Sequence, residues 1–206
     1  MKILYFDTET TGLSPKGGYA YGQAYLGKIC QLAYIIEEDG AFTAKNFYFA
    51  VEYVETGAKA VNGLNPRLLY ELSGGREFSD DSEEIGRDFA EADVIVAHNF
   101  SFDHKFMEAE FSRINREFVY KRSFCTMRGC TSFLQLPPSR GKCFRAPSLA
   151  ILAEFFKVSE EEVNEMNLRL FGARSDAHDA RYDTVKLALS CIKGREICPN
   201  MIEAFN

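Results

Sequence analysis

The sequence predicts an α/β domain, a mixed sheet flanked by helices, and three observations predict it. The N-terminal part is rich in β-formers, and two of its segments meet at the turn signal Glu38-Asp39-Gly40, as antiparallel strands do. A short apolar run, Val94-Ile95-Val96-Ala97, has the composition of a strand covered on both faces. Beyond it helical patterns dominate, so that the strands give way to alternating helices.

Taken in order, Lys2 to Asp7 alternates and reads as a first strand, with a turn from Thr8 to Ser14 helped by Gly12 and Pro15. Ile29 to Glu37 and Lys45 to Val54 read as the next two strands. Asn65-Pro66 starts a short helix through Leu72, because proline suits the first helical turn. Ser82 to Ala92 is amphipathic and feeds the apolar strand. Ser101 to Asn115 follows as a helix with Phe102, Phe106, Ala109 and Phe111 among its apolar positions. Phe124-Cys125 reads as one more strand pair before a helix near Arg128 to Leu134, which Pro137-Pro138 breaks. Two helices close the chain, Pro147 to Phe156 and Ala177 to Lys193.

At 206 residues, 46% hydrophobic and 26% charged, the chain suffices for one compact core, and no linker or internal repeat divides it. The expectation is a single domain over 1–206 with its core at about 2–193, and a short tail from Cys198 that either docks or frays. The apolar run at the N-terminus is too short for a signal peptide, and no stretch approaches the roughly 20 apolar residues that cross a bilayer. A soluble, cytoplasmic protein without a membrane partner is expected. Six cysteines stand at 30, 125, 130, 143, 191 and 198 without a Cys-x-x-Cys pair, so free thiols are expected. Zinc at Cys125, Cys130 and Cys143 is rejected on their irregular spacing.

A formal net charge of −6 argues against a nucleic-acid binder, yet its distribution is uneven. Between Lys105 and Arg145 nine basic residues face three acidic ones, which gives that segment +6 and the remainder −12. One side facing phosphates and an ordinary solvated helix surface both fit this pattern.

Three clusters carry chemistry. In Phe6-Asp7-Thr8-Glu9-Thr10-Thr11-Gly12-Leu13, residues two apart on a strand share a side, so Asp7 and Glu9 aim together. Two such carboxylates repel, and one takes up a proton unless a cation sits between them. Acidic oxygen clusters suit the hard cations Mg²⁺ and Mn²⁺. The second cluster, His98-Asn99-Phe100-Ser101-Phe102-Asp103, lies where a buried strand gives way to a helix, the usual ligand edge of an α/β sheet. In the third, His178-Asp179-Ala180-Arg181-Tyr182-Asp183, the histidine and the last aspartate are five residues apart, roughly 500° around a helix. They do not stack on one helical face, so His178 fits a loop just before the helix and Asp183 its first turn.

Together the clusters resemble the DEDDh exonucleases, the histidine branch of the DnaQ-like superfamily. Asp7 and Glu9 with the following Thr-Gly-Leu match that family's Asp-x-Glu motif. His98 to Asp103 matches His-Asn-x-x-Phe-Asp, and His178, Ala180 and Asp183 match His-x-Ala-x-x-Asp. Weaker echoes are Ile29-Cys30-Gln31-Leu32-Ala33, Val61-Asn62-Gly63-Leu64 and Ser148-Leu149-Ala150-Ile151-Leu152. The resemblance implies a ribonuclease H-like fold and 3′→5′ exonuclease activity on a single-stranded nucleic-acid end. It implies two divalent ions, Mg²⁺ or Mn²⁺, on Asp7, Glu9, Asp103 and Asp183, with His178 as general base. An imidazole titrates near neutral pH, which suits it to take a proton from an attacking water. It further implies that Thr10 and Gly12 approach the terminal sugar by backbone, that Leu13 wedges against the last base and that Phe102 packs on the nucleotide. For Leu13 and Phe102 plain core packing stays open. A polymerase partner, a catalytically silent 3′-end-binding module and a short-RNA substrate are the alternatives it leaves.

His98 is read as a structural hydrogen-bonding residue, His104 as a surface helix residue, and Asp176 and Asp179 as tuning His178 or facing solvent. The Gly/Tyr-rich stretch Ser14 to Lys28 is longer than the family pattern. Its Tyr19, Tyr21 and Tyr25 suggest either a flap over the site that stacks on bases or a surface loop.

Overall fold

The computed structural model of the chain describes residues 1–12, 19–20, 23–24, 27–138, 141, 143–173, 175 and 177–205. Leu13, Tyr21, Tyr25 and Asp176, all singled out from the sequence, lie outside them.

Strand β1 (Lys2–Thr10) occupies the centre of a five-stranded sheet. Strands β2 (Tyr19–Ala20) and β3 (Gln23–Ala24) form a separate two-stranded antiparallel ladder. Strand β4 (Ile29–Glu38) and strand β5 (Ala41–Tyr48) pair antiparallel through the two-residue turn Asp39-Gly40. Both turn residues have positive φ, 51° and 80°, the conformation that the tightest hairpins require. Strand β6 (Val94–Ala97) runs parallel to β1, and β7 (Ser123–Cys125) parallel to β6, giving the order β5-β4-β1-β6-β7.

Helices cover both faces, and the period of two along the strands sorts side chains between them. Ile3 and Tyr5 of β1 and Val94 and Val96 of β6 join one apolar cluster with α7 (Leu149–Phe155), α8 (Glu160–Phe171), α9 (Ala180–Gly194) and α10 (Pro199–Phe205). Leu4, Phe6, Ile95 and Ala97 join the opposite cluster with α3 (Phe78–Glu91) and α4 (Phe100–Arg113). By the same alternation Asp7 and Glu9 belong to the α9 face and Thr8 to the α4 face.

Several boundaries differ from expectation. Strand β1 does not stop at Asp7, because β4 pairs with it residue by residue as far as Glu9↔Gln31, with a bulge before Thr10. Strand β5 lies at 41–48 rather than 45–54, since the hairpin fixes its start directly after the turn. Helix α3 begins four residues before Ser82, where Glu77 and Asp80 form a capping box. Helix α2 (Pro66–Ser73) agrees with its proline start, and α5 (Thr126–Gly129) and α6 (Thr131–Leu134) divide the helix expected near 128–134. Three helices were not expected: α1 (Thr56–Asn62), α8 and α10. The C-terminal tail docks, with Met201 and Phe205 buried in the α9-side cluster. All six cysteines are free thiols. Among the described residues no helix is long and apolar enough to cross a membrane.

Candidate active site

The three sequence clusters meet at one edge of the sheet. Asp7 and Glu9 project from the end of β1. Asp103 stands in the first turn of α4 and Asp183 in the first turn of α9, where the helix dipole favours negative charge. His178 sits in the loop before α9 with φ +67°, and its backbone N–H donates to Asp183 Oδ2 at 3.2 Å. Donor atoms of Glu9, His178 and Asp183 lie within 4.8 Å of one another, although no hydrogen bond or ion pair joins their side chains.

Thr8 orients the second cluster. Both its backbone N–H and its hydroxyl donate to Asp103 Oδ1, at 3.1 and 2.7 Å, which ties α4 to β1. Asp103 is buried, at 2% exposure. The Asn62 amide of α1 donates to Glu9 Oε2 at 3.3 Å and to the Thr10 carbonyl at 3.4 Å, while its own oxygen accepts from the Leu64 N–H at 3.0 Å.

The electrostatics follow from burial without compensation. Burial, and then the charges of Asp103, Asp183 and Glu9, hold the Asp7 carboxyl well above the usual carboxylate range. Burial pushes Glu9 up to about 8 against the opposing pull of Asn62, and Asp103 up to about 7 against the hydrogen bonds from Thr8. Asp183 is also raised, by burial above all. The cation nearest in sequence, Arg181, is committed to Asp179 at 2.6 Å, and Lys186 to Glu160 at 3.1 Å. A set of oxygen donors that must shed protons to ionise, and that Lys186 offsets only in part at Asp183, has a chemistry that fits a hard divalent cation.

Beside the carboxylates lies a pocket of about 350 Å³ lined by Thr8, Glu9, Thr10, Gly12, Phe102 and residues of the α1 region, Glu55, Ala58, Val61 and Asn62 among them. Gly12 has φ +138°, and a Cβ there would run into the Glu55 side chain, so glycine is needed at this wall. The expected contacts Thr10, Gly12 and Phe102 therefore do line one cavity. Phe102 also packs on Phe106 with ring centroids 4.9 Å apart, so it belongs partly to the core.

The remaining candidates resolve as follows. His98 Nδ1 bonds the Thr126 hydroxyl at 3.0 Å, and burial pushes the imidazole down to about 4, as the structural reading required. His104 is not simply a surface residue: its ring packs against Phe100, Phe118 and Tyr120, because the helix turns it under the 118–120 segment. Asp179 caps α9 and is half-buried rather than free in solvent. Burial raises its carboxyl, but hydrogen bonds from Arg181 and Gln31 bring it below the usual range. Asn62 and Glu55 were missed, although Val61-Asn62-Gly63-Leu64 had been noted as an echo. Their helix is too short and too polar for periodicity to reveal.

Comparison with known proteins fits this geometry. No family model matches the chain. It is 27% identical over 125 residues to the DNA polymerase III subunit epsilon of Escherichia coli, spanning 59% of this chain and 48% of that protein. The epsilon subunit of Salmonella typhimurium matches at 28% over 125 residues, with the same coverage. In three dimensions, Escherichia coli Exonuclease I in complex with a dA16 oligonucleotide superposes with a TM-score of 0.65 at 18% identity, covering 98% of this chain and 42% of that one. The zinc-bound form of the same enzyme with single-stranded DNA gives 0.66. The chain is thus similar in sequence to epsilon subunits and in fold to Exonuclease I. Its mixed five-stranded sheet with helices on both faces is the ribonuclease H-like fold. The chain spans about half the length of the curated relatives it matches.

Proposed function

We propose that the chain is a 3′→5′ exonuclease, hydrolysing phosphodiester bonds at a nucleic-acid 3′ end and releasing nucleoside 5′-monophosphates. The observation that carries the reading is the convergence of Asp7, Glu9, Asp103 and Asp183 from three separate elements, with carboxyls raised above all by burial. Asp7, Glu9, Asp103 and Asp183 would hold two divalent ions, Mg²⁺ or Mn²⁺. When bound, such ions stabilise the attacking and leaving oxygens of an in-line displacement.

The protein's own groups do the rest. His178, exposed at the rim on a turn fixed by Asp183, takes the proton of the attacking water through its imidazole. The Thr10–Gly12 backbone lets the terminal sugar approach closely, and Phe102 offers a ring face to the nucleotide in the adjoining pocket. Asn62 keeps the Glu9 carboxylate turned towards its partners. Single-stranded DNA is the favoured substrate because the superposed Exonuclease I structures hold an oligonucleotide and single-stranded DNA. Association with a polymerase is proposed on the likeness to the epsilon subunits.

The test uses 3′- and 5′-labelled DNA and RNA strands with Mg²⁺ or Mn²⁺, with and without chelator. Stepwise shortening from the 3′ end that chelator stops is the expected result, faster on DNA. Digestion of none of the strands overturns the reading in favour of a silent end-binding module, and faster digestion of RNA replaces the substrate.

A further inference from the structure

Gln31, which the reaction as described leaves without a role, makes three polar side-chain contacts next to the site. It is 1% exposed on β4, directly opposite Glu9 in the β1–β4 ladder. Its amide nitrogen donates to Asn46 Oδ1 and to Asp179 Oδ1, each at 2.9 Å. Its amide oxygen accepts from the Ala180 N–H at 3.3 Å, the first residue of α9. One buried side chain thus joins β4, β5 and the start of the helix that follows His178.

The backbone of His178 needs such an anchor. A non-glycine residue at φ +67° occupies a sparsely populated region, and it persists only where its surroundings over-determine it. On one side the Asp183 carboxylate holds the His178 N–H. On the other, Asp179 is clamped by Arg181, whose N–H, Nε and Nη2 donate to it at 3.0, 2.9 and 2.6 Å. The Arg181 guanidinium in turn lies 5.9 Å from the centroid of the Tyr48 ring on β5. Arg181 and Asp179 belong to the same turn, so their pairing stiffens it but cannot locate it on the sheet. Gln31 bonds the turn itself to the sheet, and one turn further along α9 the Thr184 hydroxyl donates to the Ala33 carbonyl of β4 at 3.2 Å.

We propose that Gln31 is a positioning residue: its amide fixes the Asp179–Ala180 turn to the sheet and thereby holds the His178 imidazole at the carboxylate cluster. The inference rests on His178 being the base. Two variants test it. Gln31→Leu removes both the donor and the acceptor at similar volume. Gln31→Glu keeps the size and the acceptor for Ala180 but turns an oxygen towards the Asp179 carboxylate, and it serves where the leucine variant fails to fold.

Both should lower kcat about 10- to 100-fold, the usual cost of losing a group that orients a reacting one, with KM and Mn²⁺ affinity unchanged. In a His178→Ala background neither should lower the rate further, since a group acting through the imidazole has nothing left to position. Wild-type kcat in the folded variants, or a loss that multiplies with that of His178→Ala, overturns the proposal. A readout independent of turnover separates this from the assignment of activity. The backbone amide signal of His178 in a ¹⁵N spectrum should broaden or double in Gln31→Leu, and an unchanged signal counts against the anchor even if the wild type cleaves nothing. An inactive wild type with the expected spectral change would instead remove the exonuclease reading and leave the anchor standing.

Discussion

Two groups of buried carboxylates sit in this fold, and the structure treats them in opposite ways. Away from the site, Glu37 accepts from the Tyr5 hydroxyl and from Arg195, both at 2.7 Å. Asp88 accepts from Tyr34 at 2.8 Å and Lys45 at 2.5 Å, and Glu110 pairs with Arg113 at 2.8 Å. Each of these charges has a cation from the chain. At the end of β1, Asp7, Glu9 and Asp103 lie together without such an ion pair among the described residues, and burial above all raises their carboxyls. The fold can neutralise a buried acid with its own cations, and the contrast at the end of β1 supports the proposed cation site there.

Four outcomes break or sharpen that contrast. The largest is expected from Asp7→Ala or Asp183→Ala, which should lower turnover by ~10³-fold, because several kcal/mol of charge stabilisation are at stake at about 1.4 kcal/mol per factor of ten. Wild-type turnover in either variant would falsify the ligand assignment. His178→Ala should cost about 10²- to 10³-fold in turnover. Calorimetric titration with Mn²⁺ should find its binding intact, and lost binding would make the histidine a ligand instead of a base. Third, Arg195→Met strands Glu37 without its cation. A fully buried pair would lose 3–5 kcal/mol, but Arg195 is a third exposed, so ~2 kcal/mol is expected. That lowers the melting temperature by about 4–8 °C in a chain of this size.

The smallest effect has the opposite sign. In chelator at neutral pH, Glu9→Gln should raise the melting temperature by roughly 2–4 °C, about 1 kcal/mol, by removing a carboxyl that must take up a proton to be buried. The pH dependence follows the same logic. Glu9 and Asp103 are raised in the folded chain to about 8 and about 7, so the folded state holds protons that the unfolded state releases. Their contribution is complete below the ordinary carboxylate range and is lost as pH climbs through 7–8. Chelated protein should therefore melt lower at pH 8.5 than at pH 6 by ~2 °C or more, and Mn²⁺ should abolish the difference. A flat profile in chelator would mean that the acids are not crowded in solution.

Much of this was legible in the sequence, because the carboxylates stand where patterns change. Asp7 and Glu9 end an alternating strand, Asp103 follows a buried apolar run and Asp183 opens a helix, so patterns placed each near an element's end, while the family resemblance gathered them into one site. What was lost had weak local signals. Helix α1 has seven residues, none buried, and its role in walling the pocket depends on contacts with distant Gly12 and Glu9. Helix α8 could have been found, since Ser159 and Glu162 form a capping box ahead of Val163 and Met166. The bonds of Gln31 to Asp179 and Ala180 span nearly 150 positions, which no pattern within a window can anticipate.

The grip of Thr8 on Asp103 has a consequence for which ions fit. A carboxylate oxygen carries two lone pairs, and Oδ1 of Asp103 spends both on the Thr8 amide and hydroxyl. That leaves Oδ2, so in the proposed cation site this aspartate would offer one oxygen rather than two. A calcium ion, which seeks six to eight oxygens and often takes both from one carboxylate, is poorly served by such a donor. A magnesium ion, content with one oxygen per acid and water for the remainder, loses nothing.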